Sequence, residues 1–196
     1  MRLIVFSLLL GASLANAADL DSTFFGLTFE AEFQSPQCEM KGTFALPPSN
    51  GYCIEPMKLV TTESKGATGN ARVKFSSGEL PYWTGGQFVI ELIDGKLEGI
   101  SMGTAGVGSR PFILETLTKK YGPPHVLTPM PMQNAFGAQF DGSIPQWSDG
   151  RLTITYTPIR GDTKQGQLQI FTPAGSEAFD KRMKDIMKNL EPKRSM

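Results

Sequence analysis

An Asp-Gly pair at positions 94 and 95 separates two β-rich runs, Gln87-Phe88-Val89-Ile90-Glu91-Leu92-Ile93 and Lys96-Leu97-Glu98-Gly99-Ile100. A type I′ turn needs positive φ at both central residues, and Asp-Gly supplies it, so this stretch is committed to an antiparallel hairpin. A Gly-rich connector, residues 103–108, leads from the hairpin to a helix punctuated at both ends. Ser109 is placed to cap it and Pro111 fits its first turn. Ile113, Leu117 and Tyr121 recur at spacing four along one face. Lys119 and Lys120 complement the C-terminal dipole, Gly122 suits a left-handed cap, and Pro123-Pro124 forbid continuation.

A second hairpin and helix follow. Arg151-Leu152-Thr153-Ile154-Thr155-Tyr156-Thr157 alternates with period two, and Gln167-Leu168-Gln169-Ile170-Phe171 pairs back across a Gly/Asp turn at 160–166. A final helix is expected from about Ser176 to Leu190, with Phe179, Met183, Ile186, Met187 and Leu190 as a core-packing stripe. Between the halves, residues 125–148 are rich in Pro, Met and Gln and leave room for one irregular strand near 135–140. Upstream, Phe29-Glu30-Ala31-Glu32-Phe33 alternates apolar and acidic as a half-buried strand does, with a single helical turn as the alternative. Residues 52–60 and 71–76 read as short strands, with the polar run 61–70 between them. The expected fold is α+β: antiparallel strands in a shared sheet, two helices packed on one face, and a disulfide-stapled N-terminal loop.

Residues 1–17 carry an address. Arg2 precedes an apolar stretch from Leu3 to Leu14, and Ala15-Asn16-Ala17 is an A-x-A cleavage site, the layout of a secretory signal peptide. The apolar stretch is shorter than the roughly 20 residues of a spanning helix. Ala18 and Asp19 stand where a bacterial lipoprotein carries its lipidated cysteine. The expectation is a free periplasmic or secreted chain with no stable membrane insertion. Residues 18–196 then form one domain, an N-terminal stapled part at 18–80 and a hairpin-helix-hairpin-helix core at 81–190. In that setting the two cysteines, Cys38 and Cys53, read as a disulfide. It closes a loop of about fifteen residues and contributes about 3 kcal/mol on the chain-entropy model. Without C-x-x-C spacing a redox role is disfavoured.

Charge excludes some classes. Setting aside Arg2 leaves 18 basic and 19 acidic residues. This near-neutrality gives no electrostatic reason to bind nucleic acid or an anionic membrane surface. Lys193 and Arg194 sit in a short terminal tail that reads as solvated.

Candidate chemistry is sparse. Gly99-Ile100-Ser101-Met102-Gly103 matches the G-x-S-x-G nucleophile elbow, which requires a helix starting immediately after the serine and a histidine late in the chain. Here the helix begins only near Ser109, and the single histidine, His125, precedes Asp141 and Asp149. Gly103-Thr104-Ala105-Gly106-Val107-Gly108 lacks the spacing of a dinucleotide fingerprint and any following Lys-Ser/Thr pair, so it reads as a connector. One histidine among scattered carboxylates does not make a transition-metal site, and Glu30 and Glu32 share a strand face rather than flank a substrate. No catalytic residue, cofactor or metal is expected. Tyr82, Trp83 and Trp147 lie in Pro/Gly-rich contexts and are candidate binding residues, able to stack on a sugar or anchor a protein if exposed.

The run Asp94 to Ile100, the helix ending Lys119-Lys120-Tyr121-Gly122-Pro123-Pro124, and Trp147 before the hairpin at 151–171 together resemble a pattern of small exported Gram-negative proteins. These have a DGK hairpin, a helix with a K-Y-G-x-P stop, and a later Trp. The likeness covers roughly residues 86–172. A looser one runs to SmpA/OmlA-type outer-membrane-assembly lipoproteins and β-lactamase-inhibitor-like domains. What it implies is structural, Gly122 as cap and Pro123 as stop, and it carries over no functional residue. The expected function is an exported non-enzymatic binding or assembly module, with an envelope or extracellular protein as its unidentified partner. A small serine hydrolase using Ser101 and a carbohydrate or cell-wall binder using Trp83 and Trp147 are the alternatives.

Overall fold

The computed structural model describes residues 20–55, 60–62, 65–133, 137, 139–161 and 163–190. The expected leader, 1–17, and the terminal tail lie outside these residues, as does part of the strand expected near 135–140. In chain order the strands are β1 Thr23–Phe24, β2 Leu27–Thr28, β3 Met40–Lys41, β4 Phe44–Ala45, β5 Tyr52–Ile54, β6 Val60–Thr62, β7 Lys65–Phe75, β8 Thr84–Ile93 and β9 Lys96–Thr104. A 3-10 turn, Gly106–Ser109, leads into α1, Arg110–Tyr121. Then come β10 Val126–Thr128, β11 Pro131–Gln133, β12 Gln139–Asp141, β13 Ile144–Ser148, β14 Thr153–Thr157, β15 Gly166–Phe171 and α2, Pro173–Leu190.

The architecture is mixed sheet and helix. The principal sheet is antiparallel, in the order β10-β13-β14-β15-β9-β8-β7-β5, with β6 paired to β7. Among the described residues its two blocks, β5 to β9 and β10 to β15, are joined by one strand pairing. That seam is β9 against β15, running from Thr104↔Gly166 to Gly99↔Phe171. The Asp94-Gly95 hairpin forms as expected, with φ of 51° and 81° at its two central residues. The second hairpin pairs Thr153↔Phe171 through Thr157↔Gln167.

One face of the sheet carries Phe88, Ile90, Ile100, Met102, Trp147, Ile154, Tyr156, Leu168 and Ile170, all buried in a common core. α1 covers this face through Ile113 and Leu117, both fully buried. The N-terminal hairpin β1–β2 covers the rest, burying Leu20, Phe24, Leu27 and Phe29 in the same core. It is tied down by Lys120, which donates to the Thr23 carbonyl and pairs with Asp21 at 3.1 Å. It is also held by Asp149, whose carboxylate accepts the Leu20 N–H at 2.6 Å.

The expectation of two helices on one face is corrected. α2 lies on the opposite face. A β-bulge sets Glu91 against Gly99 and Leu92 against Leu97, leaving Glu98 as the extra residue. The residue between β15 and α2 docks on this bulge: Thr172 donates its N–H to the Glu98 carbonyl at 3.0 Å and its hydroxyl to the Glu98 carboxylate at 2.5 Å. Phe171 points to the α2 side, over Gly99, where it stacks against Phe179 with ring centroids 5.1 Å apart. Arg182 pairs with buried Glu91 on the same side.

Other boundaries moved for local reasons. α2 starts at Pro173 rather than Ser176, because the Thr172 hydroxyl accepts the Gly175 N–H at 3.1 Å and Pro173 fills the first helical position. Ser109 does not cap α1 with its side chain; its hydroxyl donates to the Gly106 carbonyl at 2.7 Å within the 3-10 turn. The connector at 103–108 is partly strand, since β9 runs to Thr104. Residues 65–70, read as a polar separator, belong to β7. Phe29 to Phe33 is not a strand: Glu30 sits at φ 62°, and only Glu32 makes a bridge, to Lys96. Gly122 does end α1, but at φ 76° and ψ −172° rather than in the left-handed helical well.

Cys38 and Cys53 are joined, with Cα atoms 4.9 Å apart. Among the described residues no helix is long and apolar enough to cross a membrane.

Candidate functional site

The strict alternation of β13, β14 and β15 seals one face of the sheet and leaves the other polar. Along each of these strands buried residues alternate with half-exposed ones. The open side carries Gln146 and Ser148 from β13, Thr153, Thr155 and Thr157 from β14, Gln167 and Gln169 from β15, and Ser101 and Gly103 from β9. Register aligns one continuous row across six strands: Gln146↔Thr155↔Gln169↔Ser101↔Val89↔Arg72. At the usual strand spacing it spans about 24 Å. Gln167 Nε2 donates to Ser101 Oγ at 2.7 Å, and the Ser148 and Thr153 hydroxyls share a hydrogen bond at 3.1 Å. Hydroxyls and carboxamides both donate and accept, so this surface presents hydrogen-bonding groups with little net charge at its centre.

Two raised elements bound the row. On one side α2 closes over Phe171 and Gly99, and a groove of about 820 Å³ runs between its Ser176, Asp180 and Lys184 and the sheet residues Gln146 and Thr153. At the other end the turn after β14 brings Arg160 and Lys164 beside Ser101, Gly103 and Gln167 around a hollow of about 630 Å³. The floor is rigid because the side chains beneath it belong to the core.

The residues singled out from the sequence fall elsewhere or play structural parts. Ser101 lies mid-strand on the open face, held by Gln167, with no turn at its position. His125 stands beside β13, where its Nδ1 accepts the Ser148 N–H at 3.0 Å. β10 and β9 are four strand spacings apart, roughly 19 Å, so the histidine does not serve the serine. Among the described residues no group of three or more His, Cys, Asp or Glu is placed to hold a metal.

The stacking role considered for the tryptophans is corrected. Trp147 is fully buried and offers no ring to a ligand; Trp83 is 3% exposed and lines a hollow with Tyr82 and Phe112. Trp147 Nε1 donates to the Gly122 carbonyl at 2.8 Å. Through that bond the tryptophan satisfies a carbonyl that the helix end leaves open. Tyr82 is exposed and makes an edge contact with Phe112, ring centroids 5.2 Å apart.

The perturbed titrations belong to the covered side and to the rims. Burial pushes the Asp149 carboxyl up, but the N–H groups of Leu152, Leu20 and Arg151 and the Arg151 charge together hold it below its ordinary value. Burial raises the Tyr156 hydroxyl, which donates to the Gly106 carbonyl at 3.3 Å. Hydrogen bonds from Ser143 and the nearby Arg110 charge lower Asp141. None of these groups lies on the open row.

Sequence reasoning missed the row. The signal was present in T-I-T-Y-T and Q-L-Q, where every second residue is polar and uncharged. Recognising a surface also required the register of β15 on β9, which joins residues over sixty positions apart. Compared with known protein families, with curated proteins and with solved structures, the chain matches none.

Proposed function

We propose that the chain is an exported, non-enzymatic binding or assembly module, working in the periplasm or outside the cell, and that it engages a protein partner through the open polar face of its sheet. The observation that carries this reading is the two-sidedness of the sheet: one face is sealed by α1 and the β1–β2 hairpin, while the row from Gln146 to Ser101 stands open between α2 and the Arg160–Lys164 turn. The disulfide is in keeping with an oxidising compartment, and it staples the Pro-rich loop between Cys38 and Cys53. The resemblance to small exported Gram-negative proteins points the same way.

The test is capture from envelope extract with immobilised wild type, Thr155→Arg and Gln169→Arg. Both substitutions change only the half-exposed side, so melting is expected to stay within about 0.5 kcal/mol of wild type. Retention of a partner by wild type and its loss in both variants is the expected outcome. Unchanged retention would move the binding site off this face. Labelling by a fluorophosphonate probe that disappears in Ser101→Ala would replace this reading with a hydrolase.

A further inference from the structure

α2 is anchored only along its first half. Its 18 residues extend about 27 Å. Gly175 sits against the Glu98 carbonyl, Phe179 packs on Phe171, and Arg182 pairs with Glu91. Beyond Arg182 the apolar stripe continues, but the sheet no longer covers it: Met183 is half-buried, Ile186 is 43% exposed and Met187 is 61% exposed. Met183 and Met187 border a shallow groove with Asp180, Lys184 and Lys188.

Charge is segregated to the same end. From Lys181 to the last residue the chain has six basic and two acidic side chains, whereas the whole chain has 19 of each; of the six, Arg182 is taken up by its pair with Glu91. Overall neutrality therefore conceals a locally basic, amphipathic segment. We propose that this distal half of α2 seats on an anionic lipid surface, with Met183, Ile186 and Met187 entering the headgroup boundary and Lys184 and Lys188 reaching lipid phosphates.

Two features favour this occupant. The stripe is exposed at Ile186 and Met187, and a lipid boundary accommodates protruding side chains without the shape complementarity a protein needs. The flanking lysines repel a second copy of the same helix and attract an anionic surface. Six more residues, including Lys193 and Arg194, follow the described helix and extend the basic run. The apolar residues of the stripe, Met183, Ile186 and Met187, do not line the groove beside the open polar face, although Lys184 does, so the variants at 186 and 187 test this proposal separately from the proposed function.

The experiment is vesicle flotation of protein beginning at Ala18, which keeps the apolar leader out of the measurement. Vesicles of phosphatidylcholine alone and of phosphatidylcholine mixed with phosphatidylglycerol are compared at low and high salt. Wild type is expected to float with the phosphatidylglycerol vesicles and to be released by salt. Ile186→Glu/Met187→Glu should partition about tenfold more weakly. Lys184→Glu/Lys188→Glu, which leaves the apolar residues intact, should lose the salt-sensitive part. This second variant keeps the test decisive if the first misfolds. Absence of wild-type flotation overturns the proposal, as does flotation of both variants equal to that of wild type. So does soluble polyglutamate competing as strongly as anionic vesicles, which would mean a protein-like polyanion rather than a lipid surface. A concentration-dependent dimer in sedimentation that Met187→Glu dissociates would assign the stripe to a second copy instead.

Discussion

Single residues fix the ends of elements here, and two of them make clear predictions. Gly122 stands at φ 76° and ψ −172°, a region essentially restricted to glycine, and a Cβ built there meets nothing within 4 Å. The cost of Gly122→Val is therefore backbone strain, about 1–3 kcal/mol, and Lys119→Ala is its surface control. Denaturant melts beside wild type measure it, and equal midpoints would mean that the K-Y-G-P stop is not a structural cap. Asp149 makes a prediction in pH. Its side chain is 1% exposed and it accepts backbone N–H groups from Leu20, Arg151 and Leu152 at 2.6 to 2.8 Å. Because its carboxyl is held below the unfolded value of about 4, its contribution is complete above that value and is lost as pH falls through the lower folded value. Asp149→Asn is expected to lower stability by about 1–3 kcal/mol at neutral pH. Its deficit should shrink in melts taken at progressively more acid pH; a deficit independent of pH would separate Asp149 from the clamp on Leu20.

At the scale of elements, what was legible depended on how local the cause was. The Asp94-Gly95 turn, the Ile113/Leu117 face of α1 and the alternation of β14 are written within a few neighbouring residues, and all three form. β7 was hidden because Gly66, Thr68, Gly69 and Asn70 look like a loop. The reason for its glycine is distant: Gly66 passes so close to Gly95 that a Cβ would lie 2.5 Å from the Gly95 Cα. The side chosen by α2 was equally out of reach, since it follows from Phe171 lying over Gly99 across the β9–β15 register. The open row of the candidate site was invisible for the same reason, and Trp83 and Trp147 could be called buried only after the layers were in place. The docking of α2 is open to a direct test. A Cβ on Gly175 would lie 1.9 Å from the Glu98 carbonyl oxygen, a backbone atom with no freedom to move. Gly175→Ala should cost about 1–3 kcal/mol. Hydrogen exchange should quicken in α2 while β13 and β14 keep their protection, and uniform loss of protection would mean that α2 is integral to the core rather than docked upon it.

Across the whole molecule the core and the covalent link are separated. The buried cluster lies under α1 and the N-terminal hairpin, whereas Cys38–Cys53 ties the chain at β5, the far edge of the sheet. Reduction, or replacement of both cysteines by serine, should lower stability by about 3 kcal/mol. Peptide mapping of the purified protein without reductant should recover the Cys38–Cys53 pair; two alkylatable thiols there would contradict the link. The single seam between the two blocks has a different consequence, one of timing. Strands within each block find partners a short distance along the chain, but β9 and β15 meet only after a loop of about sixty residues closes between Thr104 and Gly166. Local hairpins form in microseconds, and pairings of high sequence separation are slower. The two blocks are thus expected to take shape before they join, with the joining step setting the folding rate. Substitutions along Gly99 to Thr104 would then slow folding, whereas those at the β5 and β10 edges would mainly hasten unfolding.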